Sequence, residues 1–296
     1  MQAQSPDTRR LTLGYAGIIF AVVIWAGWIV ATRHAMLGSY EPMDLALIRY
    51  GLPAVLLAPV WLKRGIFPKG ENPWLLAIMT IGWGGPFVVL ISTGLQTVPA
   101  SVFGPLVPGL LPLVVAFWGL VIAGERIKGM RWAGLALIAL AVALILGPAI
   151  AESDEGMLTG APYLLLACAG WSAFTIAFRS TTLNGLESAA YVCLYSTPMM
   201  LAAVAFGGTE ILDWSLEDIA LQSLMQGLLS GMAAVAAYGY SIQALGLARA
   251  SAFTCLVPVL AALGGWAMLG EVVSPAGWGA AIAACLGVLL VNRAVS

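Results

Sequence analysis

The chain has 296 residues, of which 61% are hydrophobic and only 9% charged, against about 25% charged in an ordinary soluble domain. That composition excludes a water-soluble globule and places the chain in a membrane. A formal net charge of −1 gives no electrostatic basis for a nucleic-acid partner. The lone histidine, His34, cannot build a zinc site. Cys168, Cys193, Cys255 and Cys285 lie in apolar segments without C-x-x-C spacing and read as reduced packing residues. No cofactor and no metal are expected.

Hydropathy resolves into ten stretches, at 11–36, 43–62, 74–96, 100–123, 130–150, 157–180, 187–206, 219–246, 250–269 and 275–291. Each is of roughly the 20-residue length that crosses a hydrocarbon core, and in lipid each must be helical. Arg9-Arg10 precedes the first stretch, but its apolar run is too long for a signal peptide and no small-x-small cleavage site follows. It reads as a mature helix.

The first span carries Trp25 and Trp28 on one helical face. Trp25 sits near mid-membrane, too deep for an interfacial aromatic belt, and is expected to line a pocket. The third span contains Gly82-Trp83-Gly84-Gly85-Pro86. Pro86 lacks an N–H and opposes the Gly82 carbonyl, so the helix should bend or loosen here. Such a break points either to a binding site that includes Trp83 or to a packing kink. Ser92 and Gln96 follow. The fourth span has Pro105, Pro108 and Pro112, and the ninth has Pro258. The carbonyls they free, those of Ser101, Gly104, Pro108 and Thr254, either bind an ammonium group or mark hinges. The sixth span repeats the tryptophan spacing with Trp171 and Phe174, and the eighth offers Tyr238, Tyr240 and Gln243. The expected binding groups are Trp25, Trp28, Trp83, Ser92, Gln96, Trp171, Phe174, Tyr238 and Gln243, with Pro86, Pro112 and Pro258 as hinges. Trp61, Trp74, Trp132, Trp214 and Trp278, near span ends, fit a belt.

An offset of 146 positions superimposes Trp25 on Trp171, Arg33 on Arg179, Pro112 on Pro258, Gly124-Glu125 on Gly270-Glu271 and Trp132 on Trp278. The chain is therefore expected to be two five-helix repeats, residues 1–150 and 151–296. With the N-terminus in the cytoplasm, Arg9, Arg10, Lys63, Arg64, Lys69, Arg126, Lys128, Arg131, Arg179, Arg249 and Arg293 face inward, and only Arg33 and Arg49 lie on the outer side. Five is odd, so the second repeat enters from the opposite side and the duplication is inverted.

Trp25 and Trp171, the stretches from Pro112 to Glu125 and from Pro258 to Glu271 with their Gly-Glu pairs, and the small-residue elbow from Leu245 to Ala252 resemble the drug/metabolite transporter superfamily. The resemblance runs from Leu13 to Val291 and is to the EamA-type exporters, most of all the YddG-type amino acid exporters. Pro105-x-x-Pro108 has no counterpart in the second half. The resemblance implies an all-α protein of ten membrane-spanning helices in two inverted repeats. It also implies export of neutral or aromatic amino acids and related metabolites by alternating access.

No acidic residue lies mid-span, and Lys63, Lys69 and Lys128 are in loops. On this reading a substrate within the bundle meets no fixed charge, which favours net-neutral cargo and facilitative transport. Multidrug or organic-cation efflux and proton-coupled exchange remain open. The spans hold no catalytic dyad, so an enzyme is not expected. Glu125 and Glu271 are expected to cap neighbouring helices or pair with a base. The expected setting is a bacterial-type inner membrane with both termini cytoplasmic; the expected partners are a small-molecule substrate and the lipid bilayer. The chain is expected to be a monomer or weak homodimer.

Overall fold

The computed structural model describes residues 8–295 apart from 39, 124–126 and 128; Glu125 and its Gly-Glu pair lie outside the described residues. Ten spans follow in order. They are α1 (Thr8–Leu37), α2 (Pro42–Leu56 with Ala58–Arg64), α3 (Pro73–Trp83 with Gly85–Thr97), α4 (Ala100–Gly104, Pro105–Gly109 and Leu111–Ala123) and α5 (Met130–Ala151). The second half gives α6 (Glu155–Arg179), α7 (Gly185–Gly207), α8 (Leu216–Gln222, Ser223–Ala233 and Ala234–Leu245), α9 (Leu247–Thr254 with Val257–Leu269) and α10 (Pro275–Val295). Among the described residues nine are long and apolar enough to cross a bilayer unaided, and α2 makes the tenth although it bends by 66°. Pro53 inside its first segment and a proline opening its second account for that bend.

Several spans are not the continuous helices that hydropathy implies. The middle of α4, around Pro105 and Pro108, and the long centre of α8 are wound as π-helix. Helix α3 breaks at Gly84, as the Gly-Pro run predicts. Gly84 adopts φ −96° and ψ −145°, and a fresh segment starts with Pro86 in its first turn. Pro112 and Pro258 likewise open segments, each as the second residue after an interruption, rather than kinking a helix from within.

Helix α1 packs on α8 and α9, and α6 packs on α3 and α4; α2 lies on α7 and α8, α7 also on α3, α5 on α10, and the start of α4 on α9. Exchanging α1 with α6, α2 with α7, and so on through α5 and α10, converts this set of pairings into itself. That is the signature of inverted repeats about an axis in the membrane plane. The exchange fails in one respect. Helix α1 also packs on α3 and α4 of its own repeat, and α2 on α3, whereas α6 and α7 make no contact of similar extent with α8 and α9 among the described residues.

The loops obey the same exchange. At one end Asp44 accepts from Thr209 Oγ1 at 2.7 Å and Glu210 N at 2.9 Å. Tyr40 donates to Asp218 at 2.7 Å and meets Trp214 edge-on at 4.4 Å, so Trp214 is a packing residue as well as a span-end tryptophan. Partial burial and then the Asp218 carboxylate push the Tyr40 pKa up to about 12, which keeps the phenol a donor. At the other end Arg64 pairs with Glu187 at 3.2 Å, and Thr182 donates its N–H to Glu71 at 3.1 Å.

The two halves cross at glycines. A Cβ on Gly82 would lie 2.3 Å from the Gly170 carbonyl oxygen, and one on Gly104 2.4 Å from Pro258 Cα. Small residues at such crossings let backbones approach where no hydrophobic effect drives helices together. Gly82→Ala should therefore destabilise the protein by about 1–3 kcal/mol, whereas Gly147→Ala, whose added methyl meets nothing within 4 Å, should be neutral or slightly stabilising. Thermal unfolding of the two variants in detergent makes the comparison.

Candidate functional site

Two aromatic groups lie on seams between the repeats. In the first, Trp25 of α1 meets Tyr238 of α8 edge-on at 5.3 Å, and Trp25 Nε1 donates to the Ser230 carbonyl at 3.3 Å. In the second, Trp171 of α6 meets Phe87 of α3 edge-on at 5.9 Å, and Phe174 stacks on Trp83 at 5.0 Å. The first lies on the α1–α8 seam and the second on the α3–α6 seam, which the repeat exchange converts into each other. Trp25, Trp83, Trp171, Phe174 and Tyr238 are all half-buried. The Tyr238 hydroxyl has no hydrogen-bond partner among the described residues.

The break in α3 positions the second group. Its freed Trp83 carbonyl accepts from the Tyr50 hydroxyl at 2.7 Å, and the Gly85 N–H donates to Ser196 Oγ at 3.0 Å. These two backbone groups, at membrane depth, thus find protein partners.

The π-wound centre of α8 positions the first group. Gln226, fully buried, accepts from Trp28 Nε1 and donates to Thr32 Oγ1 and Gln222 Oε1, both at 3.2 Å. Its carbonyl accepts from Arg49 Nη1 at 3.2 Å, and Arg49 Nη1 also donates to the Ser230 hydroxyl. The Arg49 guanidinium lies over the Trp28 ring, 4.3 Å from its centroid.

Arg49 corrects the expectation from sequence. It is not an outer-loop charge: it lies in the second turn of α2, 7% exposed, so the bundle interior does contain a fixed positive charge. Arg33 is also no loop residue. It is 9% exposed and pairs with Glu271 at 2.8 Å, while its Nη1 donates to the carbonyls of Leu95 and Gln96 at 2.6 and 2.9 Å. Glu271 Oε2 accepts from Ala100 N at 2.9 Å, so this carboxylate caps the start of α4 and pairs with a base. Arg33 and Glu271 together tie α1, α3, α4 and α9 at one end of the bundle.

Not every expected binding group joins the aromatics. Gln96 and Gln243 are exposed in the last turns of α3 and α8, at opposite ends; each is engaged through its backbone carbonyl, by Arg33 and Arg10 respectively. Ser92 is buried with an unpartnered hydroxyl. Gln222, Gln226 and Ser230, which the candidate set omits, recur at intervals of four in an apolar span; that spacing places them on one helical face. Among the described residues no cluster of His, Cys, Asp and Glu could hold a metal. The Cys285 thiol donates to Cys255 sulfur at 3.2 Å, and both are free. An apolar hollow of about 280 Å³ lined by Leu263, Trp266, Val272, Val273 and Trp278 holds none of the candidate residues.

Ten spans in inverted repeats, with broken helices and aromatic groups at their interface, define a polytopic membrane transporter. The sequence profile of the EamA-like transporter family matches twice, over residues 12–147 and 158–293, and the chain belongs to that family. The two matches are again 146 residues apart. A protein of Streptantibioticus cattleyicolor named as a probable terminal-alkyne amino-acid exporter is 26% identical over 96% of this chain and 95% of its own length. The uncharacterized inner membrane transporter YedA of Escherichia coli K12 is 24% identical over 91% of this chain and 87% of its own. A solved crystal structure at 18% identity superposes with a TM-score of 0.61 over 97% of this chain and 99% of that one, which shows the fold.

Removing one partner of a buried ion pair strands the other charge, at about 3–5 kcal/mol, whereas replacing both is far milder. Glu271→Gln, which keeps an acceptor for Ala100 N, should lower the melting temperature in detergent by several degrees. Adding Arg33→Met to Glu271→Gln should restore much of that loss.

Proposed function

We propose that this transporter exports amino acids and related metabolites across a bacterial-type inner membrane by alternating access of residues 1–150 against residues 151–296. The observation that carries this reading is the pair of aromatic groups, Trp25 with Tyr238 and Trp171 with Phe87, on seams that the repeat exchange interconverts. A ligand between them would contact both repeats and be released to either side as the seams open in turn. The named activity of the Streptantibioticus relative, which aligns along almost its whole length, points to the same cargo. The substrate-binding set on this reading is Trp25, Trp83, Trp171, Phe174 and Tyr238, with Pro86, Pro112 and Pro258 at the segment starts where the spans flex; Trp28, expected among them, has its N–H taken by Gln226 and its face by Arg49 and so positions that arginine.

Basic-residue placement supports cytoplasmic termini. With Arg33 and Arg49 buried in helices, no basic residue remains among the outer loops. In that orientation the end closed by Arg33 and Glu271 is the outer one. Transport is facilitative, because no carboxylate lies mid-span to take up and release a proton. Organic-cation efflux fits less well: the Trp28 face is already covered by Arg49, and the interior carries a positive charge.

In proteoliposomes, Trp171→Ala should cut phenylalanine or leucine flux by roughly tenfold, the upper range of a lost aromatic contact, while the protein stays folded; wild-type flux would remove Trp171 from the pocket. Collapsing an imposed proton gradient should leave the equilibrium distribution of substrate unaltered. Gradient-driven accumulation would show coupling.

A further inference from the structure

Arg49 poses the sharpest question in the molecule. A guanidinium inside a membrane span is costly, and such groups are found paired or at functional sites. No carboxylate lies within ion-pair distance of Arg49: the only ion pairs among the described residues are Arg33 with Glu271 and Arg64 with Glu187. Its two hydrogen bonds both leave from Nη1. Neither Nε nor Nη2 makes an ion pair among the described residues. One edge of the fork is fixed by α8 and the flat face by Trp28; on the remaining side the Tyr50 hydroxyl, itself donating to the Trp83 carbonyl, is a neutral neighbour, and no carboxylate claims that edge.

The surroundings hold that orientation firmly. Gln226 is locked by three side-chain partners, and Ser230 returns a hydrogen bond to the Gln226 carbonyl at 3.0 Å. The next residue, Tyr50, hydrogen-bonds the Trp83 carbonyl at the break in α3. Arg49 and Tyr50 thus link the Trp25–Tyr238 group to the Trp83–Phe174 group. The interior offers the charge no acidic partner.

The geometry points to Arg49 as the subsite for the carboxylate of the transported molecule, taken through the Nε–Nη2 edge while the aromatic groups take its side chain. A carboxylate matches that edge in two parallel hydrogen bonds, which an ammonium in place of guanidinium cannot reproduce. Binding gives the guanidinium the carboxylate partner that the bundle does not supply, while a zwitterion's own ammonium leaves the loaded site with one net positive charge. The inference rests on the amino-acid reading for its choice of cargo, but the recognised group is the carboxylate alone.

The test is ligand-induced quenching of tryptophan fluorescence on the purified full-length protein, together with proteoliposome flux. The wild-type protein should bind phenylalanine and 3-phenylpropionate, and should bind phenylalaninamide and phenethylamine roughly tenfold to a hundredfold more weakly, as expected when a charge-assisted hydrogen bond is lost. Arg49→Gln should abolish this discrimination, and Arg49→Lys should keep part of the affinity because the charge remains without the fork. Should Arg49→Gln fail to fold, the wild-type series and Arg49→Lys still decide the matter. Equal wild-type affinity for phenylalanine and its amide, or unchanged phenylalanine affinity in Arg49→Gln, would overturn the carboxylate subsite. Binding of 3-phenylpropionate through Arg49 without phenylalanine transport would leave the subsite standing and reject amino-acid export. Phenylalanine transport indifferent to Arg49 would do the reverse.

Discussion

Everything in this fold answers to one constraint: hydrocarbon supplies no hydrogen bonds to a backbone. Each interruption of a helix must then be placed against protein. The Gly84 break is set where Tyr50 and Ser196 reach the loosened backbone. The π-wound centre of α8 is set where Arg49 and Ser230 reach the Gln226 carbonyl. The start of α4 is set where Glu271 reaches Ala100 N. In each case at least one partner comes from a span of the other repeat: Ser196 for α3, Arg49 for α8 and Glu271 for α4. The irregular segments are therefore places where the two halves are stitched together, and one of them, the break in α3, carries Trp83.

A second consequence concerns charge. Most of the bundle is held by apolar contact and close glycine crossings, so its few buried ionic groups stand out energetically. Arg33 is neutralised by Glu271 and by two carbonyls. Arg49 is held by a carbonyl, a hydroxyl and an indole face but by no carboxylate. Two arginines of the same repeat thus have opposite accounts: one closes an end of the protein, and the other remains available to an anionic group.

The overall architecture was legible in the sequence because lipid makes span length and apolarity nearly sufficient, and because a 146-residue offset survives in landmarks such as Trp25/Trp171 and Pro112/Pro258. The break at Gly84 was legible for the same local reason that causes it. Burial of arginine was not. Arg33 and Arg49 lie near hydropathy-defined span ends, where a basic residue reads as a loop charge; only tertiary packing shows that Glu271, 238 positions after Arg33, supplies a partner. Gln226 escaped notice because an isolated glutamine in an apolar run carries no motif, although its spacing from Gln222 and Ser230 placed all three on one face. Gln96 and Gln243 were overvalued because polarity alone does not reveal depth. Both fall in last turns, where side chains reach solvent.

The long reach of Glu271 bears on how the molecule is assembled. When the first five spans have left the ribosome and entered the bilayer, Arg33 has no counter-ion and the first N–H of α4 has no acceptor. Both are satisfied only once residue 271 emerges, after nine spans are in place. A lone first repeat would carry a stranded cation and an uncapped helix end in a medium that tolerates neither, so it cannot settle into its final packing early. Duplication has left two halves alike in sequence pattern but unequal in time: the first waits, and the second completes both.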